Sequence, residues 1–185
     1  MPIRTIAEPV GGLSKFAIFW FILSAAIVII DASFVVMRPA SMNATTLPHS
    51  LWVTYSKHDK RYASMEDAFV VVQSYLNFFE VGLQLLAVLL SLLSVSGLAN
   101  KIGLVVSVMT IYKTVIYGLM EHFENDKYTK HNSQVDLWQM VIIPSAFWVV
   151  IPGFIAIQCW RNLDLGVTYQ TFAAGKDGKE KRLKD

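Results

Sequence analysis

The stretch FAIFWFILSAAIVIIDASFVVM, Phe16 to Met37, decides the class of the fold. An α-helix rises about 1.5 Å per residue, so roughly 20 apolar residues cross the roughly 30 Å of bilayer hydrocarbon. This stretch is long enough, and Asp31 is its one ionisable group. It is longer than the apolar core of a secretory signal peptide, about 7–15 residues, and it has no small-residue cleavage site. It therefore reads as a span. Working outward, three more segments qualify: Ala68 to about Leu98, Ile102 to Met120, and Leu137 to Trp160. The second is over-long and reads as tilted or projecting beyond the bilayer. The expected fold is an all-α integral membrane protein, a bundle of four transmembrane helices. Composition agrees: 54% of residues are hydrophobic, only 16% are charged, and mean hydropathy is +0.45. Water-soluble domains carry about 25% charged residues.

Residues 1–15 read as a short cytoplasmic segment, 16–163 as the membrane domain and 164–185 as a basic cytoplasmic tail, disordered by composition. A net charge of +2 is too small for nucleic acid to be the main partner. The single Cys159 excludes an internal disulfide. An even number of spans puts both termini on one side. That side holds Arg4, Lys15, Lys101, Arg161 and five tail cations; the other holds Arg38, Lys57, Lys60, Arg61, Lys127 and Lys130. The bias favours cytoplasmic termini. Lys57 to Arg61 reads as a solvated loop, and Asn43-Ala44-Thr45 is a weak glycosylation sequon near the first span. Trp20, Trp52, Trp138 and Trp160, with Tyr55 and Tyr62, lie near span ends, as aromatic belts do. None of His49, His58, His122 and His131 has a helical partner at ligand spacing, so no metal is expected. No cofactor motif is present either. The expected partners are membrane lipid and a lipophilic small molecule, and a homodimer is compatible with the pattern.

Ionisable and amide groups at membrane depth are expensive and usually face a partner or a cavity. Asp31 lies about two-thirds along the first span. The second carries a stripe of Gln73, Asn77, Glu80 and Gln84 at helical spacing. Lys113 lies mid-span in the third, beside Tyr112 and Thr114, with Tyr117 one turn on and Glu121-His122 at the end. In the fourth, Ser145 and Trp148 are i, i+3 neighbours, with Pro144 loosening the backbone. Two readings stand. These groups are glue between helices, Lys113 pairing with Glu80 or Asp31; or they line a water-poor pocket for a lipophilic ligand. Glu121-His122 reads either as a pocket mouth or as a hydrated pair.

Three further blocks carry a resemblance. They are LWVTYSKHDKRYASMEDAF (Leu51–Phe69), IYKTVIYGLMEH (Ile111–His122) and LWQMVIIPSAFWVVIPG (Leu137–Gly153). In order and spacing they resemble the EXPERA-domain family, which includes a sterol Δ8–Δ7 isomerase and the sigma-2 receptor. The resemblance covers roughly Phe16 to Leu163. It implies an intramembrane pocket and residence in the endoplasmic reticulum membrane. In the isomerase a His and, four residues later, a Glu hold catalytic roles; the matching positions are Ile27 and Asp31. A second catalytic Glu matches Ser74 or, one residue shifted, Gln73. An Asn-x-x-Trp pair matches Ser145 and Trp148. Two proton-holding positions of the family thus lack a titratable group in this chain.

The expected chemistry is intramolecular isomerisation or cyclisation of a terpenoid, sterol-like or polyketide-like substrate. It would need an acid, an aromatic face for a developing cation and a dry cavity. Burial favours a neutral carboxyl, so Asp31 and Glu80 are candidate general acids. Lys113 is the candidate that polarises a carbonyl, and Trp148 the cation-facing ring. Gln73, Ser74, Asn77, Tyr112, Thr114, Tyr117, Glu121 and Ser145 complete the expected substrate-binding set. The alternative is a non-catalytic binder of sterols or lipophilic amines, of the sigma-2 type.

Overall fold

The computed structural model describes residues 10–182, and the side chains of residues 10–165. Its elements run α1 (Lys15–Val36), a 3₁₀ turn (Ala40–Asn43), α2 (His49–Tyr55), a second 3₁₀ turn (Lys60–Tyr62), α3 (Ala68–Leu92), α4 (Ser96–Phe123) and α5 (Gln134–Asp136). A π-pitched stretch (Leu137–Ile142) then leads into α6 (Ile143–Arg182). No strand occurs among the described residues. Four segments are long and apolar enough to cross a membrane: α1, α3, α4 and Gln134–Leu165.

Each span starts where a short side chain accepts an orphan backbone N–H or where the chain must reverse. The Ser14 hydroxyl accepts from the Ala17 N–H at 3.1 Å and opens α1. Asp67 accepts from the Val70 N–H at 3.0 Å and opens α3; such caps contribute about 1 kcal/mol. The second span is shorter than expected. The chain reverses at Leu93–Val95, where Ser94 takes a left-handed φ of 62°, and α4 begins at Ser96. Hydropathy runs through this turn because the turn residues are themselves apolar. The disorder expected of the tail is also corrected, since α6 runs on to Arg182. Once a helix is nucleated, each further residue adds a bond, and Ala, Lys and Glu are good helix formers. The tail cations' side chains, and Arg4, lie outside the described residues.

Burial on α3 recurs at Val70, Ser74, Asn77, Val81, Gln84 and Val88, a three-to-four-residue spacing that turns one face to its neighbours. The opposite faces are oily: Phe19 is 60% exposed, Phe79 61% and Phe154 67%. Such a surface suits acyl chains rather than water. Near the chain termini the helices meet closely through Ala17, Ala87, Ala99 and Gly103 around Leu13, Phe21 and Cys159. A Cβ on Gly103 would meet Cys159 Sγ and Leu13 Cδ2 at 3.1 Å, so any larger residue at this crossing would have to push those side chains back by a few tenths of an ångström. Towards the other end, α2 and Tyr62 of the second 3₁₀ turn cap a hollow among the four spans.

Candidate functional site

The hollow is a cavity of about 350 Å³, within the size range of small-molecule sites. Helical periodicity supplies its wall. Ile27 and Asp31 come from α1, Gln73 and Asn77 from α3, Lys113 and Tyr117 from α4, and Pro144 and Trp148 from α6, each pair four residues apart. Val28, Thr114 and Ser145 fill in between them. The cap contributes Leu51, Trp52, Tyr55 and Tyr62.

One Asp31 carboxylate oxygen accepts two hydrogen bonds, from Trp52 Nε1 and from the Tyr62 hydroxyl, both at 2.8 Å. Both donors belong to the cap, so Asp31 ties the cap to the first span. Lys113 Nζ donates to Asn77 Oδ1 at 2.7 Å and pairs with Glu80 Oε1 at 3.0 Å. The Thr110 hydroxyl donates to the same Glu80 oxygen at 2.7 Å. Glu80 lies behind Lys113 and off the cavity wall, with 2% of its surface exposed. Its third-span partners make it a counter-ion to Lys113. Trp148 lines the cavity and packs against Trp20 with ring centroids 5.5 Å apart.

Of the expected site residues, Asp31, Lys113, Gln73, Asn77, Thr114, Tyr117, Ser145 and Trp148 meet around one cavity. Four others do not, the first being Glu80, an expected catalytic group that lies behind Lys113 and off the wall. Ser74 is buried and donates to its own helix at Val70 O, 2.8 Å away. Tyr112 points outward at 67% exposure, because it sits about a quarter-turn from Lys113 on α4. Glu121 is neither a pocket mouth nor a hydrated pair. Its Oε1 accepts from the Tyr128 and Thr129 N–H groups and the Thr129 hydroxyl, at 2.8–2.9 Å.

The region between the first two spans departs most from expectation. Lys57 to Arg61 is not simply a solvated loop, because Asp59 and Arg61 are fully buried. Arg61 pairs with Asp67 at 2.8 Å, with Glu121 at 3.2 Å and with Glu124, and stacks over the Tyr128 ring at 4.4 Å. These contacts clamp the cap to the start of α3 and the end of α4. The Asp59 carboxylate accepts from the Arg61 N–H at 3.0 Å and from the Tyr117 hydroxyl at 2.6 Å. Burial pushes the Asp59 carboxyl up to about 6, against those hydrogen bonds. Burial likewise raises the Tyr55 and Tyr62 phenols well above their ordinary value, with nearby Asp59 and Asp31 adding to it. Sequence reasoning placed Trp52, Tyr55 and Tyr62 in an aromatic belt and missed Asp59 and Arg61. The available signal was the run Tyr55, Asp59, Arg61, Tyr62, too rich in aromatics and paired charges for a free loop.

The family model described as EXPERA (EXPanded EBP superfamily) matches residues 47–159. The chain belongs to the EXPERA family. The matched region begins with the cap and ends in α6, so it takes in the cavity wall apart from Ile27, Val28 and Asp31 of α1. Among curated EXPERA-family proteins, the 3-beta-hydroxysteroid-Delta(8),Delta(7)-isomerase of Mus musculus is 27% identical over 161 residues, covering 86% of this chain and 70% of its own. Isomeliandiol synthase of Melia azedarach is 24% identical, covering 82% of this chain and 71% of its own. Protoglabretal synthase of Citrus sinensis is 23% identical, covering 87% and 76%. Asp31 and Trp148 stand in the cavity wall of this EXPERA member, and Ile27 also lines that wall without a titratable group.

Proposed function

We propose that this protein is a membrane-embedded isomerase or cyclase of a lipophilic, sterol- or triterpenoid-like substrate. In this reading Asp31 carries a proton to the substrate, and the pi face of Trp148 stabilises the cation that follows, worth about 0.5–2 kcal/mol. Lys113 sits nearby, but Glu80 at 3.0 Å neutralises it, which limits its repulsion of a cation and leaves it to orient a substrate oxygen. Gln73, Asn77, Thr114 and Ser145 supply further polar contacts. The carrying observation is a carboxylate held by Trp52 and Tyr62 in the wall of a mainly apolar cavity of about 350 Å³. Its curated relatives, named as isomerases and synthases, support the same reading. Residence in the endoplasmic reticulum membrane with both termini cytoplasmic belongs to it as well.

The test is turnover by the purified chain in lipid nanodiscs, offered 3β-hydroxy-Δ8 steroids and triterpenoid alcohols. Products of unchanged mass are expected, and Asp31→Asn is expected to abolish them while ligand binding persists. Full activity in Asp31→Asn would end the proposal. A second reading, a non-catalytic binder, is favoured by Ile27, which places a hydrocarbon where the isomerase has its histidine. That reading predicts saturable sterol binding and no product.

A further inference from the structure

Moving a double bond requires one proton to be added and another removed at a different carbon. Resting on the isomerase reading, the question is which group takes the second proton. Asp31 serves one of the two carbons. Of the other titratable groups in the wall, Lys113 is tied to Glu80 and Asn77, and the Tyr62 hydroxyl is committed to Asp31. Tyr55 stacks edge-on against Tyr62 with ring centroids 5.0 Å apart. Tyr55 has Asp59 as a neighbour too, but it is Tyr117 that lines the cavity with its hydroxyl donating at 2.6 Å to that second carboxylate, buried outside the wall.

We infer that Tyr117 and Asp59 form the second proton site, with Tyr117 touching the substrate and Asp59 acting through it as a positioning residue. As a substrate C–H proton passes to the Tyr117 oxygen, the Tyr117 proton passes to Asp59 Oδ2. The C–H bonding pair becomes the new double bond, and the proton from Asp31 has already added at the far end of the old one. One proton enters and one leaves, so no oxidant or reductant is required. Water then takes the Asp59 proton and returns one to Asp31. The geometry suits a proton relay. The hydrogen bond is short, at 2.6 Å, and the Arg61 N–H at 3.0 Å fixes the other carboxylate oxygen. The Asp59 carboxyl at about 6 can hold or release a proton near neutrality. Tyr55 from α2, Arg61 and Tyr62 from the second 3₁₀ turn, and Tyr117 and Glu121 from α4 set its charge environment, with Asp67 at the start of α3 reaching it through Arg61.

Two measurements on the full chain in nanodiscs test this. Infrared difference titration should show a carboxyl band that titrates near pH 6 and is absent in Asp59→Asn. In Tyr117→Phe, which loses one donor to the anion, it should move upward by about one pH unit; in Tyr62→Phe it should stay nearer its wild-type position. A band unmoved by Tyr117→Phe overturns the inference, whatever the protein catalyses. In turnover of a 3β-hydroxy-Δ8 steroid, Tyr117→Phe and Asp59→Asn should lower kcat at least about tenfold with little change in KM, and abolish the fall in kcat below about pH 6. Wild-type kcat profiles retained in both variants would also overturn it. If wild type converts no substrate, the isomerase reading fails, and the Tyr117–Asp59 proton couple stands or falls on the infrared result.

Discussion

Replacing Arg61 with Met should be the most damaging single change in the cap. The guanidinium is fully buried and pairs with Asp67, Glu121 and Glu124. Removing it leaves three carboxylates around an apolar side chain of similar length. Breaking a buried ion pair by deleting one partner costs about 3–5 kcal/mol. Loss of the stacking over Tyr128, Phe69 and Tyr117 adds to this, and removal of the Arg61 Nε, buried without a hydrogen bond, offsets part of it. For a chain of this size each kcal/mol lowers Tm by about 2–4 °C. The expected fall is therefore roughly 6–20 °C, read by thermal unfolding in detergent with ligand binding followed in parallel. Binding should weaken as well, because Arg61 holds the cap that carries Trp52, Tyr55 and Tyr62. Lys130→Met, an exposed cation in the 3–4 loop, is the control and should stay within about 0.5 kcal/mol. A Tm for Arg61→Met within about 2 °C of wild type, the shift expected from no more than one kcal/mol, would refute this account of the cap.

Stability should also depend on Asp59. Burial raises its carboxyl from 3.8 to about 6, so the folded protein holds the proton more tightly than the unfolded chain. The stabilisation is complete below about pH 4 and is lost as the pH rises through about 6; two units correspond to ~3 kcal/mol. Wild-type stability measured relative to Asp59→Asn should fall across that window, and a flat difference would contradict it. Lys113→Met should strand Glu80 and cost about 3–5 kcal/mol, whereas the Lys113→Met/Glu80→Gln double variant should recover most of the loss in the same unfolding assay. Trp52→Phe and Tyr62→Phe each remove one donor to a single Asp31 oxygen. Each should cost about 1–3 kcal/mol and the pair should be non-additive in a double-mutant cycle. Gly103→Leu should disrupt the crossing with Cys159 and Leu13, seen as a lower Tm with the far-end cavity still binding ligand.

The number and placement of the spans were legible because lipid imposes one rule everywhere: backbone polar groups must be satisfied within the helix and outward side chains must be apolar. Reading depth along each span also picked out most of the cavity wall, since a polar group at mid-membrane has few places to go. The reading failed where that rule stops. Tyr112 and Lys113 are neighbours in sequence, yet one faces out and the other faces the cavity, because the helix turns about 100° between them. For Lys113 the sequence left Glu80 and Asp31 open as partners, and the 3.0 Å pairing selects Glu80.

The cap was least legible. Composition alone makes Lys57 to Arg61 look like a water-exposed loop, and Trp52 and Tyr62 look like membrane-interface anchors. Three acids that bury Arg61 lie 6, 60 and 63 residues away in sequence, a convergence that no local pattern encodes. Hydropathy, a one-dimensional property matched to a one-dimensional solvent gradient, determined that this chain crosses the bilayer four times and carries charge into it. Which of those charges face a ligand, and which merely neutralise one another, depended on angles between helices and on the folding of a loop over their open end. Those are set by packing between distant residues, and only the three-dimensional arrangement contains them.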